Sequence, residues 1–206
     1  MNTTVEVIKQ LRRETGAGVM ECRKALEESQ QDYAKALTLL REAAALKAKK
    51  QTGHDALEGR IELYSHADGR IGVMVEINTE TEFASRSQAF HTFAREITLQ
   101  ITSAGPLYVR DEEVPAQVLE ELSQAAVEKA RLAGKPEQIM AQITTGVVEK
   151  YLNRTVLLRQ PYIRDETLSV AQLLSQLSGA LGENIVIRRF ARWEINPDGE
   201  AAAPAS

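Results

Sequence analysis

A change of hydrophobic period between residues 71 and 101 constrains this chain more than any other feature. Ile71, Val73, Val75 and Ile77 alternate with Gly72, Met74 and Glu76, the period of two expected of a half-buried strand. Phe90, Phe93, Ala94, Ile97 and Ile101 then recur at the spacing of one apolar helical stripe. The backbone must therefore turn from strand to helix within residues 78–86, which read N-T-E-T-E-F-A-S-R. Thr79, followed three residues later by Glu82, predicts a capping box at the helix start. Phe83 is a large aromatic in this polar corner, and two readings of it stand. It lies seven residues before Phe90, close enough to the same stripe to be core. Equally, it suits a probe presented to a partner.

The pattern on either side organises the chain. Val5, Ile8 and Leu11 mark a first amphipathic helix that stops at Thr15-Gly16-Ala17-Gly18. A second helix is expected from Val19 to Ser29, and a third from Asp32 to Leu46 with Tyr33, Ala36, Leu37 and Leu40 on one face. Three short helices make a small bundle over residues 1–46, near the lower size limit for a self-sufficient core. Residues 47–57 lack an apolar period and are expected to be a linker. Residues 58–195 then read as an α+β core. A strand from Arg60 to His66 carries Ile61 and Leu63 on one face, and the turn Ala67-Asp68-Gly69-Arg70 leads to the strand at 71–78. Helices are expected near 82–104, 115–133, 136–153 and 169–181, and a last strand at 185–195 whose alternation breaks at Arg188-Arg189. Strands with helices segregated between them fit α+β layers better than a parallel βαβ array. The tail, residues 196–206, is small and polar with two prolines, a composition expected to be disordered.

Composition narrows the function class. A formal net charge of −4 and a pI near 5.6 argue against a general nucleic-acid binder, whose basic footprint would dominate its affinity. The local clusters Arg41, Lys47, Lys49, Lys50 and Arg188, Arg189, Arg192 fit solvated faces and partner contacts. A single cysteine, Cys22, excludes an intramolecular disulfide framework and suits a reducing compartment. No signal-peptide pattern opens the chain and no stretch approaches membrane-spanning length, so a cytoplasmic setting is expected, and a matured organellar chain would read the same. His54, His66 and His91 show no ligand spacing with Cys22, which gives neither a metal site nor a nucleophile with its base. Gly16 and Gly18 lack a preceding strand and there is no Walker sequence, so no nucleotide site, catalytic residue or cofactor is expected.

Several segments carry a resemblance. Thr15-Gly16-Ala17-Gly18-Val19-Met20-Glu21-Cys22-Arg23-Lys24-Ala25-Leu26 is similar almost position for position to a T-G-A-G-[VM]-M-D-C-K-K-A-L signature, and the Thr81-Glu82-Phe83 corner to a T-D-F-V-A motif. Pro106-Leu107-Tyr108-Val109, Gly134-Lys135-Pro136-Glu137, Gln160-Pro161-Tyr162-Ile163 and the run from Gly182 to Phe190 follow in matching order. These segments resemble the elongation factor Ts family, guanine-nucleotide exchange factors of elongation factor Tu, over about Val5 to Ile195.

The resemblance implies a ubiquitin-associated-like bundle that docks on elongation factor Tu through Lys9, Arg12, Val19 and Met20. It also implies that Thr81, Glu82 and Phe83 wedge beside the partner's magnesium site. The chain looks like the short form of the family, without the duplicated core and helical hairpin of long members. A homodimer and a two-plus-two complex with elongation factor Tu are the implied assemblies. Two positions depart from the pattern: Glu82 stands where aspartate is usual, and Gln100 where many members have a histidine. A second class of function also fits the bundle, a non-catalytic adaptor that holds a partner without promoting nucleotide release.

Overall fold

The alternation at residues 71–79 becomes β2 (Ile71–Thr79), the middle strand of an antiparallel sheet ordered β1 (Glu58–His66), β2, β5 (Val186–Glu194). The structure is a computed structural model that describes residues 4–195, so the tail at 196–206 lies outside the described residues. Its other elements are α1 (Thr4–Thr15), α2 (Val19–Glu28), α3 (Tyr33–Gln51), α4 (Glu82–Ser85), α5 (Gln88–Ala104), α6 (Ala116–Leu132), α7 (Met140–Thr155), β3 (Pro161–Tyr162), β4 (Asp165–Ser169) and α8 (Val170–Leu181). This is an α+β fold with an N-terminal three-helix bundle. Two compact units form, one from residues up to Leu99 together with Ala171 onward, the other from Gln100–Val170. No helix among the described residues is long and apolar enough to cross a membrane.

In the first unit, α1, α2 and α3 close a core of Leu11, Cys22, Ala25, Leu26, Ala36 and Leu40, with Val7, Ile8, Tyr33 and Leu37 packed around it. Val5, expected on the apolar face of α1, is exposed instead, and Val7 takes the inward place. The third helix runs to Gln51 and so takes up Lys47–Gln51 from the stretch that lacked an apolar period. An exposed lysine-rich turn needs no buried face to stay helical when its residues have high helix propensity. Asp32 starts that helix by accepting the Lys35 N–H at 3.1 Å.

On the sheet, Val73, Val75 and Ile77 are buried, and so is the stripe Phe90, Phe93, Ala94 and Ile97 of α5. The Ala67-Asp68-Gly69-Arg70 turn is present, with Ala67, Asp68 and Gly69 all at positive φ. Broken alternation at Arg188-Arg189 is a β-bulge: Glu76 faces Arg189 and Ile77 faces Ile187, which leaves Arg188 as the extra residue. Its guanidinium donates to the Asn78 side-chain oxygen and the Ala56 carbonyl, at 3.1 and 3.0 Å, tying the bulge to the start of β1. Ile61 and Leu63 share a face of β1 as expected, but that face is open to solvent. With Met74 of β2 and Trp193 of β5 they form an exposed apolar surface on the outside of the sheet.

In the second unit, α6 and α7 pack against each other, and Val114, Leu152 and Val156 form a core with Tyr108, Leu119, Val148 and Tyr151 around it. Arg159 holds Asp111 at 2.5 to 2.9 Å through Nε and a terminal nitrogen, and reaches Glu149 at 2.7 Å. The β3–β4 hairpin is a feature that sequence patterning missed, because two residues of β3 are too few to alternate. Beside it the Gln100 side chain, fully buried, donates to Gln160 Oε1 and Pro161 O at 3.2 Å and accepts from Ile163 N at 2.9 Å. Gln100 is thus a structural bracket.

Gly59 pairs with Asn78 across the first ladder at φ 147°, and a Cβ there would lie 2.2 Å from the Ile77 carbonyl oxygen. Gly146, in the middle of α7, has open space around it. Gly59→Ala is expected to lose about 2 to 4 kcal/mol of stability through strain and overlap. Gly146→Ala should gain up to about 1 kcal/mol by propensity. Urea unfolding followed by circular dichroism checks both.

Candidate partner-docking site

The end of β2 shapes the first part of the site. Thr79 stays in the ladder opposite Glu58, so it is not the cap of the following helix. Thr81 caps α4 instead: its hydroxyl accepts the Ala84 N–H at 3.2 Å. Glu82 is not a capping glutamate either, since its carboxylate pairs with Arg86 at 2.5 Å on the surface, a contact worth little by itself. The expected single helix over 82–104 is broken at Arg86-Ser87, where the Ser87 hydroxyl accepts the Phe90 N–H at 3.2 Å and starts α5 afresh. That break removes the core reading of Phe83. It removes the ring from the α5 stripe: Phe83 is 87% exposed whereas Phe90 is 0% exposed. Leaving a phenylalanine in water forgoes about 1.5 to 3 kcal/mol of burial, so the corner holds out an apolar surface that the fold itself does not use.

Two carboxylates fix the corner. Glu183, between α8 and β5, accepts the Thr79 hydroxyl at 2.7 Å, the Thr81 N–H at 3.1 Å and the Thr81 hydroxyl at 2.5 Å. Burial alone would raise its pKa, but these donors from Thr81 and Thr79 outweigh it and hold the carboxyl below the ordinary glutamate value. Glu80 reaches the opposite way, accepting the Asn184 N–H at 2.5 Å and lying 3.1 Å from His54 Nδ1. Asn184 Nδ2 in turn donates to the His54 carbonyl at 2.7 Å.

The second part lies on the bundle. Lys9 and Arg12 are exposed and three residues apart on α1, hence on one face. Val19 and Met20 form the exposed first turn of α2, with Met20 72% accessible. The turn leading to them is set by Thr15, whose hydroxyl donates to Leu11 O at 2.7 Å and accepts the Ala17 N–H at 3.2 Å. Gly18 has no side chain to cap the helix, so Glu21 supplies the cap alone, accepting the Gly18 N–H at 2.9 Å. The hydrogen bond from Lys47, then the one from Gly18, lowers the Glu21 pKa. Cys22 is buried beneath, and burial pushes its thiol up, away from reactivity. Among the described residues no group of His, Cys, Asp or Glu is placed to hold a metal ion.

The sequence model of the family described as elongation factor TS matches residues 2–194, nearly the whole chain. The chain belongs to the elongation factor Ts family. Elongation factor Ts of Acetivibrio thermocellus is 45% identical over 191 residues, which cover 93% of this chain and 89% of that relative. The Coprothermobacter proteolyticus elongation factor Ts is 42% identical over 195 residues, covering 95% of this chain and 99% of that protein. For the Caldanaerobacter subterraneus elongation factor Ts the figures are 44% over 191 residues, 93% and 96%. Membership in the elongation factor Ts family gives this chain a role in translation elongation, in protein biosynthesis.

In this elongation factor Ts chain, the seven residues expected at the site fall into two exposed groups: Lys9, Arg12, Val19 and Met20 on the bundle, and Thr81, Glu82 and Phe83 at the corner. Sequence patterning gives Glu80, Glu183, Asn184 and His54 no role at the corner. More than a hundred residues separate the corner from Glu183, and no local period links them. Because Phe83 is solvent-exposed, Phe83→Ala should change stability by no more than about 0.5 kcal/mol, whereas Phe90→Ala should cost about 3 to 5 kcal/mol. Thermal melts of the two variants check this.

Proposed function

We propose that this chain is the guanine-nucleotide exchange factor of elongation factor Tu, acting in the cytoplasm. The observation that carries the reading is Phe83 standing exposed on a corner held by side-chain and backbone hydrogen bonds. The bundle docks on the partner's nucleotide-binding domain through Lys9 and Arg12, which offer charge, and Val19 and Met20, which offer apolar surface. Phe83 then enters between partner helices beside the magnesium site, with Thr81 and Glu82 flanking it. A rigid aromatic suits that role because it buries much area for little lost entropy. Glu82 brings negative charge close to the groups that order the ion's waters. GDP leaves, and by reciprocity the factor by which exchange weakens nucleotide binding is the factor by which entering GTP weakens the exchange factor. No covalent bond is made or broken, and the nucleotide and its magnesium bind to the partner rather than to this chain.

Substoichiometric amounts are expected to accelerate release of fluorescent GDP from elongation factor Tu, with Phe83→Ala slowing it at least about tenfold, the loss of a buried anchor worth roughly 2 kcal/mol. Arg12→Ala with Met20→Ala should instead weaken association. A holder without exchange activity would prolong the complex and leave GDP release unchanged, which stopped-flow fluorescence separates from exchange.

The second assembly in this reading is a homodimer, and with it a two-plus-two complex. Its support is the outer face of the sheet, where Leu63 is 68% and Trp193 67% exposed beside Ile61 and Met74. A second copy offers the same patch, as a two-fold interface requires, and covers apolar area that a solitary domain would leave wet. Leu63→Glu is expected to shift the chain from dimer to monomer in sedimentation without loss of helicity. Reductant should have no effect, because Cys22 is buried in the bundle.

A further inference from the structure

We infer that Glu183 is a positioning residue for Phe83: its carboxylate clasps the strand-to-helix corner so that the ring is presented in one orientation, an inference that rests on the exchange reading above. The geometry is that of a reciprocal clasp. Glu183, entering β5, accepts three hydrogen bonds from the corner, from the Thr79 hydroxyl, the Thr81 N–H and the Thr81 hydroxyl. Glu80, on the corner, accepts from the backbone at the β5 entry through the Asn184 N–H. Asn184 closes the ring by donating to the His54 carbonyl, while His54 Nδ1 faces the Glu80 carboxylate.

The Thr81 hydroxyl joins the clasp to the helix. It donates to Glu183 Oε1 and accepts the Ala84 N–H, so the carboxylate orients the oxygen that caps α4. A four-residue helix has too few internal hydrogen bonds to hold itself, and its first turn depends on that cap. Phe83 sits in that first turn and is otherwise without burial. Thr79 is fully buried, so its hydroxyl, turned to Glu183, has a fixed direction. Hydrogen bonds to a charged acceptor are the strong ones, and the corner donates them to a residue outside any predicted contact with the partner.

The test uses the full chain with elongation factor Tu and needs two readouts. The first is partner-free: amide hydrogen exchange by NMR at Thr81 and Ala84. Glu183→Ala is expected to lower protection there by about tenfold, the loss of a charge-assisted hydrogen bond, with Val73 and Val75 unchanged. Glu183→Gln, which keeps one acceptor oxygen, should fall between Ala and the wild type. The second readout is GDP release. At saturating exchange factor the maximal rate should fall by about tenfold in Glu183→Ala, while the half-saturating concentration stays within about twofold because the bundle face is untouched.

If Glu183→Ala does not fold, Thr79→Val and Glu183→Gln carry the same comparison, the first removing one donor while leaving the carboxylate in place. Unchanged protection at Thr81 and Ala84 in folded variants overturns the clasp. A loosened corner with wild-type maximal release overturns its role in presenting Phe83. A wild-type chain that does not accelerate release overturns the exchange reading itself, and the amide readout stands apart from that result.

Discussion

Strand β2 is hydrogen-bonded along both edges, to β1 and to β5, and the features that present Phe83 hang from its last residues. Its inward side chains, Val73, Val75 and Ile77, are buried, so neither a register slip nor a rotation of the strand is open to it. Asn78 continues that control at the strand end. Its side-chain amide donates to Glu58 O and its oxygen accepts from Arg188, so both neighbouring strands are pinned where the chain turns. The bulge that places Arg188 there is the same irregularity that interrupts the hydrophobic alternation of β5. What looks like a defect in a strand pattern is thus the device that stiffens the corner.

Much of the architecture was legible because it is periodic. Four alternating β2 residues and five residues of the α5 stripe define their elements locally, and the bundle core residues Leu11, Ala36 and Leu40 follow from helical spacing. Caps were less legible, because the sequence offers several hydroxyl and carboxylate pairs within a few residues and the ladder decides among them. Thr79 and Glu82 have capping-box spacing, yet Thr79 is claimed by Glu58 across the ladder and by Glu183, and Glu82 by Arg86. Thr81 is left to cap. The direction of the β1 apolar face was illegible for a related reason: alternation says which residues share a face, not which face is buried. Ile61 and Leu63 turn outward while Arg60, Glu62 and Tyr64 are half-buried.

Resemblance and physics contribute differently to the site. The resemblance implies Lys9, Arg12, Val19, Met20 and the corner as contacts, but it carries no information on what keeps Phe83 out of the core. That information lies in the break at Arg86-Ser87, where a serine cap restarts the helix and uncouples the ring from the stripe seven residues on. Gln100 shows the reverse case. It departs from a common family residue, and its amide is fully engaged with Gln160, Pro161 and Ile163, so the departure has a structural home in the second unit.

In the exchange reading proposed above, the magnitudes explain why a probe of this kind needs so many supporting polar contacts. Fixing one backbone residue costs about 1 to 2 kcal/mol of conformational entropy, so ordering Thr81, Glu82 and Phe83 at the moment of binding would cost about 3 to 6 kcal/mol. A single buried aromatic anchor returns roughly 2 kcal/mol or more. A floppy corner would therefore spend on its own ordering what the ring gains, and little would remain to act on a partner's nucleotide site. In this chain the ordering is done during folding, by the Thr81 cap and the Glu183 and Glu80 carboxylates, against a sheet that is stable for other reasons. Glu82 is the exposed carboxylate of the corner, paired with Arg86 in a contact weak enough to exchange for a better one. The corner thus separates its two acidic roles: Glu183 and Glu80 are consumed in holding the shape, and Glu82 stays available at the surface beside the ring.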